Sequence, residues 1–299
     1  MADKEVLLHV EDLKQYFKIP GGVSKVIKGV SFDVYKGEVF SIVGESGSGK
    51  STIGKAIIRL NDPTEGHVIF KGTDIAGKIT KEETRNLRKS MQMIYQDPMA
   101  CLNPRLTIGD IVAEGLDNYH LYKDKAERDK KIQDMLALVG LGPQFMGKFP
   151  HHLSGGQRQR AGIARALIME PDLIIADECI SALDVSVQAQ VINLLKDIQA
   201  KTGTAIIFIA HDLSMVKYIS DRIGVLHRGY LLEMGTSDEI FTDPRHPYTR
   251  SLIDTIPTTN PVAEKLKQSA QYNYETSGLD YEKGTLQHVG GSHYVLTQN

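Results

Sequence analysis

The sequence predicts an α/β fold with a mainly parallel core sheet, and three features predict it. Residues 39–43 (VFSIV), 173–176 (LIIA) and 204–210 (TAIIFIA) are short, continuous apolar runs, the pattern of strands buried on both faces. Helical spacing of apolar residues lies between and after them, at 50–60 and 188–198 among other places. The first run leads directly into residues 44–52 (GESGSGKST), which fit G-x-x-x-x-G-K-[ST] with Gly44, Gly49, Lys50 and Ser51 in the fixed positions. Strand, glycine-rich turn and helix in that order are the context that this phosphate-binding pattern requires.

Taken in order, residues 6–10 (VLLHV) read as a strand, followed by the aromatic pair Tyr16 and Phe17 and a turn at Pro20, Gly21 and Gly22. Residues 26–34 alternate as a second strand, and Lys36-Gly37-Glu38 turns into the strand that feeds the phosphate loop. After the loop helix, the turn 62–66 (DPTEG) leads into a strand at 67–70. The N-terminal third is therefore expected to be an antiparallel β subdomain beside one strand–loop–helix unit. Residues 91–95 (MQMIY) read as a buried strand ending at Gln96. Asp97-Pro98 and Asn103-Pro104 break regular structure, and 107–116 and 126–139 have helical spacing, the latter stopping at 140–143 (GLGP). This stretch predicts a helical insertion at about 97–160. Ser154 is placed to cap a helix running through Arg165 toward Glu170 and stopping at Pro171. Past residue 235 the chain changes character, with Pro244, Pro247 and Pro257 and then a polar tail rich in Tyr, Thr, Gly and Gln. The expected division is a nucleotide-binding domain over 1–235 and a C-terminal appendage over 236–299, ordered to about 260 and weakly structured from 261 onward.

Composition narrows the function classes. The chain has 299 residues, 41% hydrophobic and 24% charged, which suits a globular protein with one large domain and an appendage. A net charge of −2 implies no general attraction to nucleic acid or anionic lipid. Two cysteines, Cys101 and Cys179, exclude a disulfide framework and suit a reducing compartment. The N-terminus, MADKEVLLHVED, lacks the layout of a secretory signal, and no apolar run approaches the ~18 residues that would span a bilayer. A membrane role is therefore expected to come through a partner.

The chemistry follows from the motifs. The glycines let the backbone curl so that the N–H groups of Gly44, Glu45, Ser46, Gly47, Ser48, Gly49 and Thr52 can turn toward phosphates. The N-terminus of the next helix adds partial positive charge and free donors. Lys50 is expected to reach the β- and γ-phosphates, and the Ser51 hydroxyl to ligate Mg²⁺. Asp177 closes an apolar strand and suits a hold on Mg²⁺; Glu178 follows where a general base could polarise an attacking water. Gln96, at another strand end, can reach the metal or that water, and His211, at a third, can contact the γ-phosphate. Strand ends delivering Gln, Asp, Glu and His are where an open α/β sheet binds its ligand. Singly, each has a plain alternative: a lone His after a strand is more often structural, and Asp-Glu at a strand end is often only a polar boundary.

With residues 153–157 (LSGGQ) added, the sequence resembles the ATP-binding subunits of ABC transporters over roughly residues 5–260. The resemblance implies that two such domains sandwich two ATP molecules. Ser154, Gly155, Gly156 and Gln157 would serve the phosphate loop of the partner, and residues 181–184 (SALD), ending at Asp184, would link the sites across the interface. It also implies an aromatic that stacks on adenine, for which Phe17 matches best, with Tyr16 second. GESGSGKST, Gln96-Asp97-Pro98 with Leu102-Asn103-Pro104, SALDVSVQAQVINLL and residues 245–249 (RHPYT) are together similar to the oligopeptide/dipeptide importer subfamily, specifically the second of its paired ATPases. RHPYT lies in the appendage, where it is expected to be outside the catalytic core.

That likeness implies a paralogous ATPase partner in a heterodimer, two membrane-spanning permease subunits, an extracytoplasmic peptide-binding protein and a place on the cytoplasmic face of the cell membrane. Two departures matter. No cysteine follows Cys179, so the C-terminal iron–sulfur cluster of many subfamily members is not expected. Position 179, usually proline in the family, is cysteine; a reagent attached there is expected to block turnover, with Cys101 reacting more slowly. Nickel and glutathione importers share these motifs and are the alternative. A soluble non-transport ABC ATPase fits less well, because the insertion is short and no basic stripe is present.

Overall fold

The computed structural model describes residues 5–256 and 272–298. The chain forms two compact units, one of residues 1–77 and 208–299, the other of residues 78–207.

In the first unit, β1 (Val6–Ile19) and β2 (Gly22–Tyr35) form a long antiparallel hairpin. β3 (Val39–Val43), buried at every position, enters the phosphate loop, and α1 (Lys50–Ile57) leaves it. β4 (Glu65–Phe70) pairs with β1, and β5 (Thr73–Asp74) with β4. This is the expected antiparallel subdomain, with longer strands than the sequence implied. Polar residues such as Glu11 and Lys18 on β1 are exposed while Leu8, Val10 and Leu13 are buried, so the apolar run ends well before the strand does.

The second unit opens with α2 (Lys81–Ser90), whose Thr80–Glu83 capping box starts a helix with Leu87 as its buried residue. β6 (Met91–Ile94) follows; then come α3 (Pro98–Cys101), α4 (Ile108–Tyr119) and α5 (Lys125–Leu138). α6 (Gly155–Leu167) leads to β7 (Leu173–Asp177), which pairs with β6 in parallel, Met91 opposite Leu173 and Ile94 opposite Ala176. α7 (Val185–Thr202) and β8 (Ala205–Ala210) carry the chain back to the first unit.

There, α8 (Leu213–Ile219) precedes β9 (Arg222–His227), which pairs in parallel with β3 from Phe40–Arg222 to Val43–Val225. β10 (Tyr230–Thr236) runs antiparallel to β9. The start of β3 is pinned by Asp221, whose carboxylate accepts from the Val39 N–H at 2.8 Å. Glu38, buried beside it, accepts from the Tyr35 N–H at 2.8 Å and lies 3.4 Å from the Arg222 guanidinium. These contacts fix the strand that aims the phosphate loop. α9 (Ser237–Thr242) and α10 (Pro247–Asp254) follow.

The expectation of a weakly structured tail needs correction. Residues 257–271 lie outside the described residues, but the remainder of the stretch from 261 is regularly folded: β11 (Thr285–Gly290) and β12 (His293–Thr297) form a hairpin that extends β10. His293 and Val295 are buried in it, as is Tyr281 just before it. Polar composition concealed the hairpin because its sparse apolar residues pack on one side only. The polar anchor is also long-range, as the buried Glu233 carboxylate on β10 bonds the His293 imidazole at 2.6 Å.

Candidate nucleotide site

The phosphate loop is shaped by its glycines and by the strand beneath it. Gly44, at φ 148°, lies so close to β9 that a Cβ would sit 2.0 Å from the Leu226 carbonyl oxygen. Gly49, the residue before α1, has φ 107°. The Gly229 N–H bonds the Ser48 carbonyl at 3.0 Å, tying the loop to the turn after β9. Lys50 is buried, and its ammonium donates to the carbonyls of Gly44 at 2.7 Å and Glu45 at 2.8 Å. A cation is thus held at the loop's centre by weakly competing neutral acceptors, which anionic phosphate oxygens would displace. Ser48 adds a buried hydroxyl without a hydrogen-bond partner among the described residues. Ser51 and Thr52 occupy the first turn of α1, where backbone N–H groups have no intrahelical acceptor. The residues present fit a nucleotide polyphosphate.

RHPYT does not lie apart from this loop. Tyr248 on α10 is fully buried, and its hydroxyl accepts the Glu45 N–H at 3.0 Å. Its ring stacks on His227 with centroids 4.1 Å apart. Sequence reasoning also missed a cavity of about 470 Å³ lined by Glu45, Ser46, Gly47 and Ser48 on one side and His227, Arg228 and residues 272–274 (YNY) on the other. The tyrosine-rich tail was the available signal; its return to the loop over such a separation was not encoded locally.

Phe17 is half-buried on β1 opposite Ser24, and Tyr16 carries the Lys25 ammonium over its ring at 5.4 Å. His211 is exposed just after β8, and Asp212 caps α8.

In the second unit, β6 and β7 lie side by side, so Gln96 and Glu178 follow adjacent strands. The Gln96 amide donates to the Glu178 carboxylate at 2.9 Å and to the Ser181 hydroxyl at 3.3 Å. Asp177 is buried at the end of β7. Glu178 has φ 45°, an uncommon conformation for a residue with a side chain, and its carbonyl accepts from both the Ser181 N–H and hydroxyl. Cys179 is 1% exposed, and burial pushes its thiol up to about 12. The expectation of a reagent-sensitive Cys179 is therefore corrected: Cys101 is the more accessible thiol.

LSGGQ forms a capped helix start. The Ser154 hydroxyl accepts the Gln157 N–H at 3.3 Å, and the Gln157 side chain accepts the Ser154 N–H at 3.0 Å. The hydroxyl proton remains a donor. A Cβ at Gly156 would meet Val187 on α7 at 2.6 Å, so glycine there lets the helix start approach its neighbour. Asp184 is exposed at the head of α7.

A family model described as ABC transporter matches residues 27–181, slightly over half the chain. The chain belongs to the ABC transporter family. A second model, the C-terminal region of the oligopeptide/dipeptide transporter, matches residues 232–280. The oligopeptide transport ATP-binding protein OppF of Bacillus subtilis is 49% identical over 98% of this chain and 96% of its own length. The dipeptide transport ATP-binding protein DppF of Lactococcus lactis is also 49% identical, over 99% and 96%. OppF of Streptococcus mutans is 53% identical over 91% and 88%. Among solved structures, cbiO1 of Clostridium perfringens, part of an ABC transporter complex, superposes with TM-score 0.71 at 28% identity, covering 80% of this chain and 92% of that one. The dimeric cassette MJ0796, bound to ADP and phosphate after hydrolysis, superposes with TM-score 0.71 at 30% identity, covering 77% and 98%. The chain is an ABC-type ATPase by family and fold. Among the described residues no helix is long and apolar enough to cross a membrane.

Proposed function

We propose that this ABC ATPase powers an importer for oligopeptides or dipeptides. The observation that carries the reading is the near-full-length likeness to oligopeptide and dipeptide transport ATP-binding proteins, which extends through the C-terminal region. Its partners would be a paralogous ATPase, two permease subunits and, indirectly, an extracytoplasmic peptide-binding protein, with the chain held at the cytoplasmic face of the membrane. The expected division is a nucleotide-binding domain over 1–235, with the helical insertion at about 97–160, and a C-terminal appendage over 236–299.

ATP would be held by the loop N–H groups and by Lys50, whose ammonium exchanges two carbonyls for phosphate oxygens. Phe17 would stack on the adenine. Ser51, Gln96 and Asp177 would hold Mg²⁺. Mg²⁺ supplies neutralisation of charge on the β- and γ-phosphate oxygens. Glu178 would take a proton from the attacking water while His211 contacts the γ-phosphate. Ser154, Gly155, Gly156 and Gln157 would donate to the ATP on the partner's loop, and Asp184 would connect the two sites. The dimeric cassette among the solved relatives supports the sandwich.

The test is reconstitution of the complex with its permeases in vesicles. ATP-dependent uptake of short peptides, lost with Lys50→Ala, is expected. Uptake of nickel or glutathione and not peptides would assign the cargo to the neighbouring branch of the subfamily.

A further inference from the structure

We infer that Tyr248 is a positioning residue for the phosphate loop, so that the appendage helps set the affinity for nucleotide. The inference deepens the reading of residues 44–52 as the nucleotide cradle and rests on it. The loop's glycines give it many backbone conformations, and a cradle of N–H groups must hold one of them. Besides the loop's own bond from the Ser48 N–H to the Glu45 carbonyl at 3.2 Å, three ties do so within the first unit. Lys50 bonds the Gly44 and Glu45 carbonyls from inside, the Gly229 N–H bonds Ser48 from the turn after β9, and Tyr248 accepts the Glu45 N–H from the appendage. Nucleotide binding would remove the first tie, because Lys50 turns to phosphate. The Tyr248 bond then carries more of the task of fixing Glu45 and the peptide that precedes it.

Tyr248 is itself held rigidly. The buried Glu233 carboxylate accepts the N–H groups of Arg245 at 2.7 Å and His246 at 2.9 Å. His246 Nδ1 accepts the Tyr248 N–H at 3.1 Å, and His227 stacks on the ring. Burial also holds the Tyr248 hydroxyl protonated, well above the usual tyrosine range. Its proton is retained, and an oxygen lone pair receives the Glu45 N–H. An anchored acceptor of this kind costs little ordering when the loop closes on phosphate.

Tyr248→Phe keeps the ring and removes the acceptor. In the full chain, titrated calorimetrically with Mg·ADP and Mg·ATP, a loss of about 3–10-fold in affinity is expected, the size of one net hydrogen bond. In the assembled transporter KM for ATP should rise by the same factor with kcat unchanged. Tyr281→Phe is the comparator: its hydroxyl bonds His227 and Tyr272 in the same cluster but does not touch the loop. It should lower the melting temperature at least as much and leave nucleotide affinity alone. Parental affinity in Tyr248→Phe, or equal weakening in Tyr281→Phe, overturns the inference. If Tyr248→Phe fails to fold, amide exchange decides: Glu45 must be protected in the unsubstituted chain, and exchange at the rate of an open amide overturns the inference. Lys50→Ala separates the two readings, since undiminished binding in that variant would fail the cradle and not Tyr248.

Discussion

The Gln96 amide donates a hydrogen bond to the Glu178 carboxylate across 2.9 Å. The pair joins the ends of neighbouring parallel strands, β6 and β7, so the contact is built by register. Glu178 adds a left-handed backbone at φ 45°, a strained conformation of the kind retained at working sites. If Glu178 is the base proposed above, its carboxylate must turn to the attacking water, and the Gln96 amide bond would steer it.

Two substitutions separate base from steering group. Glu178→Gln should keep ATP affinity and lower kcat by about 10²–10⁴, trapping an ATP-bound dimer visible by size-exclusion chromatography. Gln96→Ala should lower kcat by at least about tenfold, since it removes both a hydrogen bond to the Glu178 carboxylate and a proposed Mg²⁺ ligand. Parental turnover in Glu178→Gln would remove it from the role of base.

Loop glycines should differ in sensitivity. At Gly44 a Cβ would lie 2.0 Å from a backbone carbonyl oxygen, and φ is 148°. At Gly47 φ is 81°, but nothing lies within 4 Å of the added carbon. Gly47→Ala therefore costs about 1–2 kcal/mol of backbone strain alone, whereas Gly44→Ala must also displace β9 or the loop. Calorimetry with Mg·ADP should find binding abolished by Gly44→Ala and only weakened by Gly47→Ala. The reverse order would contradict the packing of the loop on β9.

Much of this was legible because it is local. The run at 39–43 matches β3, and strand, loop and helix follow each other without interruption, so the phosphate loop needed only its own residues to be found. Ser154 reads as a helix cap from its neighbours, and it is one. α2 was missed because only Leu87 is buried, leaving no apolar stripe, although Thr80 and Glu83 spelled a capping box. Tyr248 was legible as part of a family signature but not as a contact, since its partner Glu45 is 203 residues away. Long-range hydrogen bonds leave no periodicity in the sequence.

The thiols should react in the order of their exposure. Cys179 is 1% exposed with its thiol pushed up to about 12 by burial, and both effects suppress the thiolate that reagents need. Cys101 is partly exposed, although burial also raises its thiol. Brief treatment of the native chain with a maleimide, read by peptide mass spectrometry, should label Cys101 first and Cys179 only after denaturation. Rapid native labelling of Cys179 would mean that the strand end opens in solution.

Acid should loosen the packing around Tyr248 through two buried histidines, His246 of the appendage and His227 at the end of β9. Burial holds His246 down to about 4, with His227 adding to the shift, and burial holds His227 down to about 4 with help from Arg228 and Lys28. In the unfolded chain both would titrate near 6.5. Between those values the unfolded state binds protons that the folded state does not, so stability falls as pH drops from about 6.5 to 4 and levels off below. For His246 the loss amounts to about 3 kcal/mol over that window. His246→Asn removes the titration and still offers an oxygen to cap the Tyr248 N–H, as asparagine does well at helix starts. Its melting temperature should therefore fall several degrees less than that of the parent between pH 6.5 and pH 4. Identical slopes for the two proteins would show that His246 is already protonated in the folded chain, and that its buried place beside Tyr248 does not exclude the charge.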